Sequence, residues 1–225
     1  EIVEFPIIVV DAHTGQRLPS EFHRFVRPTT NPKLSRECIQ NCGIVQADVD
    51  VASSIDVVVE EAVAWVESFC SGKTFVVVTC GDYDLGTALR VESQRKRFHL
   101  PLWLCRWINI KVPFASRFGR TTGMKGMLSD LGLTLEGRHH CGLDDARNIA
   151  KIVIELLKLG IDFDVTGSCD AHCSSSKPNA SSVEASHSVQ HGVPKVSAAQ
   201  QPRRRRWGRS DRESDQNESS SIDKP

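Results

Sequence analysis

The sequence has no excess of charge: 28 lysines and arginines meet 28 aspartates and glutamates across 225 residues. That balance excludes a uniformly basic nucleic-acid binder and an acidic unfolded chain as descriptions of the whole, while leaving room for local segregation. Long apolar runs are also missing. The longest, such as Ile7-Ile8-Val9-Val10 and Phe75-Val76-Val77-Val78, are strand-sized and fall far short of the roughly 18 residues that span a bilayer. No membrane partner is expected. No basic segment followed by an apolar one opens the sequence, which points to an intracellular protein of the cytoplasm or nucleus. The eight cysteines include no paired Cys-x-x-Cys, and most sit in apolar or helical patterns, as in Val77-Val78-Thr79-Cys80. Free thiols in a reducing compartment are the simpler reading. Cys169, His172 and Cys173 have ligand-like spacing, but their polar, serine-rich setting argues against a structural zinc.

What is present changes character near Val165. Residues 1–165 are patterned for folding. Residues 166–225 are serine-rich, carry Trp207 as their sole aromatic and have no apolar period, so they are expected to form a disordered tail. Within that tail stands a concentrated basic block, Arg203-Arg204-Arg205-Arg206-Trp207-Gly208-Arg209. It reads equally as a nuclear-localisation signal, an RNA-contacting patch or a solvated charge run.

In residues 1–165 the apolar pattern alternates between strand and helix. Ile2 to Val10 and Glu21 to Arg27 predict two strands around a turn at His13-Thr14-Gly15. Leu34 to Cys42 predicts a short helix closed by Gly43, and Ser53 or Ser54 caps a longer one through Cys70. Thr74 to Thr79 is a β-branched and aromatic run typical of a strand buried on both faces. Helices are predicted from about Asp82 to Lys96, Gly123 to Leu131 and Asp144 to Leu159, the last ended by Gly160. Strands followed by interleaved helices imply an α/β sheet packed by helices.

Two segments invite a chemical reading. Thr79-Cys80-Gly81-Asp82-Tyr83-Asp84-Leu85 places two carboxylates where a strand ends and a helix begins. Gly137-Arg138-His139-His140-Cys141-Gly142-Leu143-Asp144-Asp145 places two histidines in a glycine-flanked loop and two more carboxylates at the head of the last helix. Such carboxylates can converge on one cleft and coordinate Mg²⁺, a hard cation that prefers oxygen ligands. Capping of a helix N-terminus is the plainer explanation for an Asp at either start. It needs only one Asp per helix, which accounts for Asp82 and Asp144 and leaves Asp84 and Asp145 over for chemistry.

These segments, in this order, resemble the DEDDh branch of the DnaQ-like 3'-to-5' exonucleases, and within it the Eri-type exoribonucleases. The resemblance covers about residues 1–163 and is carried by Glu1-Ile2-Val3-Glu4-Phe5-Pro6, Phe25-Val26-Arg27-Pro28, Leu34 with Cys38, and Gly43-Ile44. Thr79 to Leu85, Trp107-Ile108-Asn109 and the 137–145 block with Asn148 complete it. It implies a ribonuclease H-like fold, a mixed sheet flanked by helices. It also implies hydrolysis of RNA from a single-stranded 3' end, or of DNA, with two Mg²⁺ ions, or Mn²⁺ in their place. Asp84 and Asp145 match metal ligands of the family, and His140 its general base. Leu34, Gly43 and Ile44 fall near where the family holds the terminal nucleotide. Tyr83 stands where a tryptophan is usual and is expected to keep its packing role, and Trp107 to Asn109 are expected to be structural.

The family's first motif, an Asp and a Glu two residues apart on the first strand, precedes the Glu-Ile-Ile-Glu-Phe-Pro stretch at which this sequence begins. Glu1 and Glu4 do not match it in position. The expectation is an N-terminally truncated enzyme with its first strand missing from mid-sheet and its activity impaired. The alternative is a catalytically inactive RNA-binding adaptor on the same fold. Protein partners are not legible.

Overall fold

The computed structural model describes residues 1–169; the rest of the expected tail, with its arginine block, lies outside the described residues. The chain begins with a hairpin. β1 (Glu4–Asp11) and β2 (Gln16–Phe25) pair antiparallel, with a register shift between Ile8 and Val10. The Asp11 carboxylate makes the turn by accepting from the backbone N–H groups of His13 at 2.8 Å and Thr14 at 3.1 Å. β2 is longer than the sequence pattern predicts, because its first half alternates polar residues on an open face.

Next come α1 (Arg36–Cys42), α2 (Gln46–Asp50) and α3 (Ile55–Cys70). Ser35 Oγ caps α1 by accepting from Cys38 N at 3.1 Å, and Gly43 ends it at φ 74°, a left-handed conformation that suits glycine. α2 went unpredicted, being a five-residue turn too short for a hydrophobic period. α3 lays Val58, Val59 and Ala62 against Phe22 and Val26 from β2 and its end. Each fully buried side chain of this kind contributes about 1.5–3 kcal/mol.

β3 (Val77–Thr79) pairs parallel with β4 (Arg106–Asn109), and β5 (Gly167–Ser168) pairs antiparallel with β4. β3 is shorter and less buried than expected: Phe75 is 41% exposed and Val76 40%. The reason is that β3 has β4 as its only neighbour among the described residues, just as β1 has only β2. Two separate sheets result among the described residues. Phe75 instead meets the Trp103 ring, with centroids 5.9 Å apart. β5 carries ordered structure past the expected limit at 165, since Thr166 N bonds to Trp107 O and Cys169 N to Cys105 O.

After β3 the chain runs through a π-helical turn, Asp84–Leu89, into α4 (Arg90–Lys96). The turn lies on the buried Trp107 indole, and a Cβ at Gly86 would stand 3.1 Å from that ring. α5 (Lys111–Phe118), α6 (Met124–Asp130) and α7 (Gly142–Lys158) complete the described chain. Phe114, Met127, Leu128, Ile152 and Leu156 from these three helices form a second apolar cluster. Among the described residues no helix is long and apolar enough to cross a membrane. Cys38, Cys42, Cys70, Cys80, Cys141 and Cys169 are free thiols.

Candidate active site

The head of α7 gathers the second chemical segment. A helix N-terminus presents unpaired N–H groups and partial positive charge, and here the expected cap does not fill it. Cys141, the N-cap residue, makes no side-chain cap bond. Instead Glu4, reaching from β1, accepts from Gly142 N at 2.8 Å and Leu143 N at 3.1 Å, and His23 Nε2 lies 2.9 Å from the same carboxylate. Asp144 is occupied with the loop before the helix: its carboxylate accepts from Arg138 N at 2.8 Å and from Arg147 at 3.1 Å. The Arg138 N–H leads in holding its carboxyl below the usual range, burial opposing. Arg147 extends this tie to Glu21 on β2 at 2.7 Å.

With Glu4 and Asp144 so engaged, Asp145 is left facing the histidines. Its Oδ1 lies 3.1 Å from His139 Nδ1, and its Oδ2 accepts from His140 N at 3.1 Å. The two imidazoles stack with centroids 3.9 Å apart. His140 is solvent-exposed and holds φ 73°, while His139 and Asp145 are partly covered. His139, His140 and Asp145 bring ligand-type atoms within 4.8 Å of one another.

The end of β3 supplies the other carboxylate. Asp82, expected as a cap, is a cross-strand tie: its two oxygens accept from Trp107 Nε1 and Asn109 Nδ2, each at 2.9 Å. That bears out the structural reading of Trp107 to Asn109. Asp84 opens the π-helical turn, and among the described residues no hydrogen-bond or ion-pair partner holds its carboxylate. One side is open to water, and the protein packed around the other pushes its carboxyl above the usual range, with the Lys111 charge opposing. Lys111 Nζ stands 3.8 Å from where a Cβ of Gly81 would lie. Cys80 feels the charges of both segments. Burial pushes its thiol up, Lys111 opposes, and the charges of both Asp84 and Asp145 push it further. A carboxylate held by no partner among the described residues is a donor of the kind a hard divalent cation prefers.

The remaining sequence expectations fare unevenly. Ile44 is 4% exposed and belongs to the core, Leu34 is half-buried with its N–H on Gln46 Oε1 at 2.8 Å, and Gly43 is exposed. The Arg138 guanidinium lies against Gly43 and donates to Gln40 O, fastening the end of α1 to the histidine loop. Tyr83 is 69% exposed, so the packing role expected of it is not seen. Glu4, His139, Arg138 and Lys111 were not singled out as site residues from the sequence. His139 alone had a local signal, its adjacency to His140; the others act across more than ten residues of sequence.

The family model described as Exonuclease (RNase_T) matches residues 1–153. The chain belongs to the exonuclease family, in its Eri-type DEDDh branch. It is 33% identical over 168 residues to "3'-5' exoribonuclease 1" of Homo sapiens, covering 72% of this chain and 48% of that protein. To "ERI1 exoribonuclease 2" of Mus musculus it is 32% identical over 186 residues, 75% of this chain and 27% of that one. The chain thus spans about half the length, or less, of these curated relatives. Among solved structures, the nuclease domain of 3'hExo, a DEDDh family member bound to rAMP, superposes with a TM-score of 0.72 at 32% identity, covering 75% of this chain and 86% of that one. A second solved structure, of a 3'-exonuclease in 3'-end specific recognition of the histone mRNA stem-loop, superposes with a TM-score of 0.72 at 30% identity, covering 78% of this chain and 82% of that one. These likenesses establish the ribonuclease H-like mixed α/β fold. The family generally uses divalent metal ions.

Proposed function

We propose that this protein is a 3'-to-5' exoribonuclease that removes nucleotides from the single-stranded 3' end of RNA. What supports the reading is the cluster of His139, His140 and Asp145 at the head of α7, together with the charges of Asp84 and Asp145 both acting on the Cys80 thiol, in a chain of the exonuclease family. Asp84 and Asp145 would help hold two Mg²⁺ ions, with Mn²⁺ able to replace them. Divalent metal supplies charge neutralisation at the scissile phosphate and a more acidic attacking water.

The chain's own residues do the rest. His140, exposed in the loop before α7, accepts the proton of the attacking water at a ring nitrogen, as a general base. Asp145 fixes that loop through the His140 N–H. Lys111, beside Asp84 and with no ion pair among the described residues, is free to meet a backbone phosphate of the substrate. Leu34 and Gly43 lie on the segment that Arg138 fastens to the histidine loop, a wall against which the terminal nucleotide can rest.

The test is a 5'-labelled single-stranded RNA incubated with the protein at its full natural length and Mg²⁺. A ladder shortening one nucleotide at a time from the 3' end is expected, with His140→Ala slowed roughly 10²- to 10⁴-fold and Asp145→Asn inactive. Undiminished cleavage by either variant would overturn the assignment. RNA binding without cleavage by the wild-type protein would favour the adaptor reading.

A further inference from the structure

We infer that His139, His140 and Asp145 form a zinc-type cation site at the head of α7, which takes a borderline divalent ion such as Zn²⁺ and thereby withholds His140 from the reaction. The second imidazole distinguishes this ligand set from a carboxylate magnesium site. Two nitrogens and one carboxylate oxygen suit Zn²⁺ and its neighbours rather than Mg²⁺, which prefers oxygen throughout.

The geometry is close to what such an ion needs. With metal–ligand bonds of about 2.0–2.1 Å, neighbouring ligand atoms of a tetrahedral site lie about 3.3 Å apart. His139 Nδ1 and Asp145 Oδ1 are already 3.1 Å apart, so a cation there replaces the proton they now share. The stacked His140 ring is close beside them, and the ligand-type atoms of all three residues fall within 4.8 Å of one another. A small rotation of the exposed His140 side chain brings its nitrogen into range. Three protein ligands leave a fourth position for water. Cys141 does not supply it, because its thiol is hydrogen-bonded to Asp144. The positive end of α7 opposes a cation, and the Glu4 carboxylate seated on that end offsets part of this. Because Asp145 Oδ2 stays on His140 N, the loop keeps its shape when Oδ1 turns to metal.

The consequence for catalysis rests on the exoribonuclease reading; the site itself does not. Zn²⁺ bound here would occupy both the general base and one magnesium ligand, making micromolar zinc an inhibitor of Mg²⁺-supported cleavage.

The experiment uses Co²⁺ as a visible probe of the reduced chain, followed by displacement with Zn²⁺. Visible d–d absorption at one equivalent, without a thiolate charge-transfer band and weakened more than tenfold in both His139→Asn and His140→Ala, is the expected result. Thermal melts of both variants check that they fold, and His139→Gln serves if His139→Asn does not. A spectrum unchanged in the variants, or thiolate ligation as the only tight mode, overturns the proposal. Cobalt binding as described in a protein that does not cleave RNA would sink the exoribonuclease reading alone. Cleavage without cobalt binding would sink the cation site alone.

Discussion

Glu4 on β1 closes the N-terminus of α7 by accepting from Gly142 N and Leu143 N, 138 and 139 residues further along the chain. This contact docks the helix that carries Asp145 onto the hairpin, and it releases Asp144 and Asp145 from capping.

Replacing Glu4 with alanine should therefore destabilise the fold by about 1–2 kcal/mol, the usual range for loss of a helix cap with its favourable charge. Urea denaturation will read this as a lower midpoint at unchanged slope. Glu4→Gln, whose amide oxygen still accepts, should recover part of the loss. Equal midpoints for Glu4→Ala and wild type would show that the cap contributes nothing.

Asp82 and Asp84 stand two residues apart and should respond oppositely. Asp82→Ala leaves Trp107 Nε1 and Asn109 Nδ2 without their acceptor, at about 1–3 kcal/mol for each buried donor. Asp84→Asn removes a crowded charge that no partner holds, so in EDTA it should melt at or above the wild-type temperature. Any rise in melting temperature on adding Mg²⁺ should shrink in this variant. A large loss of stability for Asp84→Asn in EDTA would contradict its placement as a cation ligand.

Lys111→Ala should weaken binding of single-stranded RNA without metal and flatten the plot of log affinity against log salt by about 0.7, the value for one phosphate contact. Lys111→Arg should retain the slope. The same slope in the alanine variant would remove Lys111 from the substrate path.

Acid should destabilise the protein in a defined window. Burial works to raise the Glu1 carboxyl, but its bonds to Lys96 and to the N–H groups of Asn31, Thr29 and Thr30 outweigh it and bring the pKa from 4.5 to about 2. Arg147 leads in holding Glu21 low as well. Depressed carboxyls stabilise the folded state above their unfolded pKa values and lose that contribution as pH falls through the folded ones. Stability from these groups should be flat above about pH 5 and decline from 4.5 toward 2. Glu1→Gln should shallow that decline in urea titrations; an unchanged profile would show that this network is not linked to folding.

Most helices were legible because their signals are local: Ser35 and Gly43 bracket α1, and Ile152, Val153 and Leu156 mark the buried face of α7. The family resemblance extended the reading to Asp84, His140 and Asp145. What stayed hidden was set by distant partners. β5 has two residues and exists only through its pairing with β4. Phe75 and Val76 look like buried strand in sequence, yet the edge position of β3 leaves them exposed. Asp82 looks like a cap until folding brings Trp107 and Asn109 to it. No periodicity encodes the reach of Glu4 to α7, because the two meet only in the finished fold.

His140 holds φ 73°, a region in which an L-residue gives up about 1–2 kcal/mol and glycine gives up almost nothing. The most comfortable residue for that backbone is the one with no imidazole to offer. Selection for thermostability alone would thus drift toward glycine at position 140 and silence the proposed chemistry, so a stabilised but inert variant is the outcome to expect from any screen that ignores turnover.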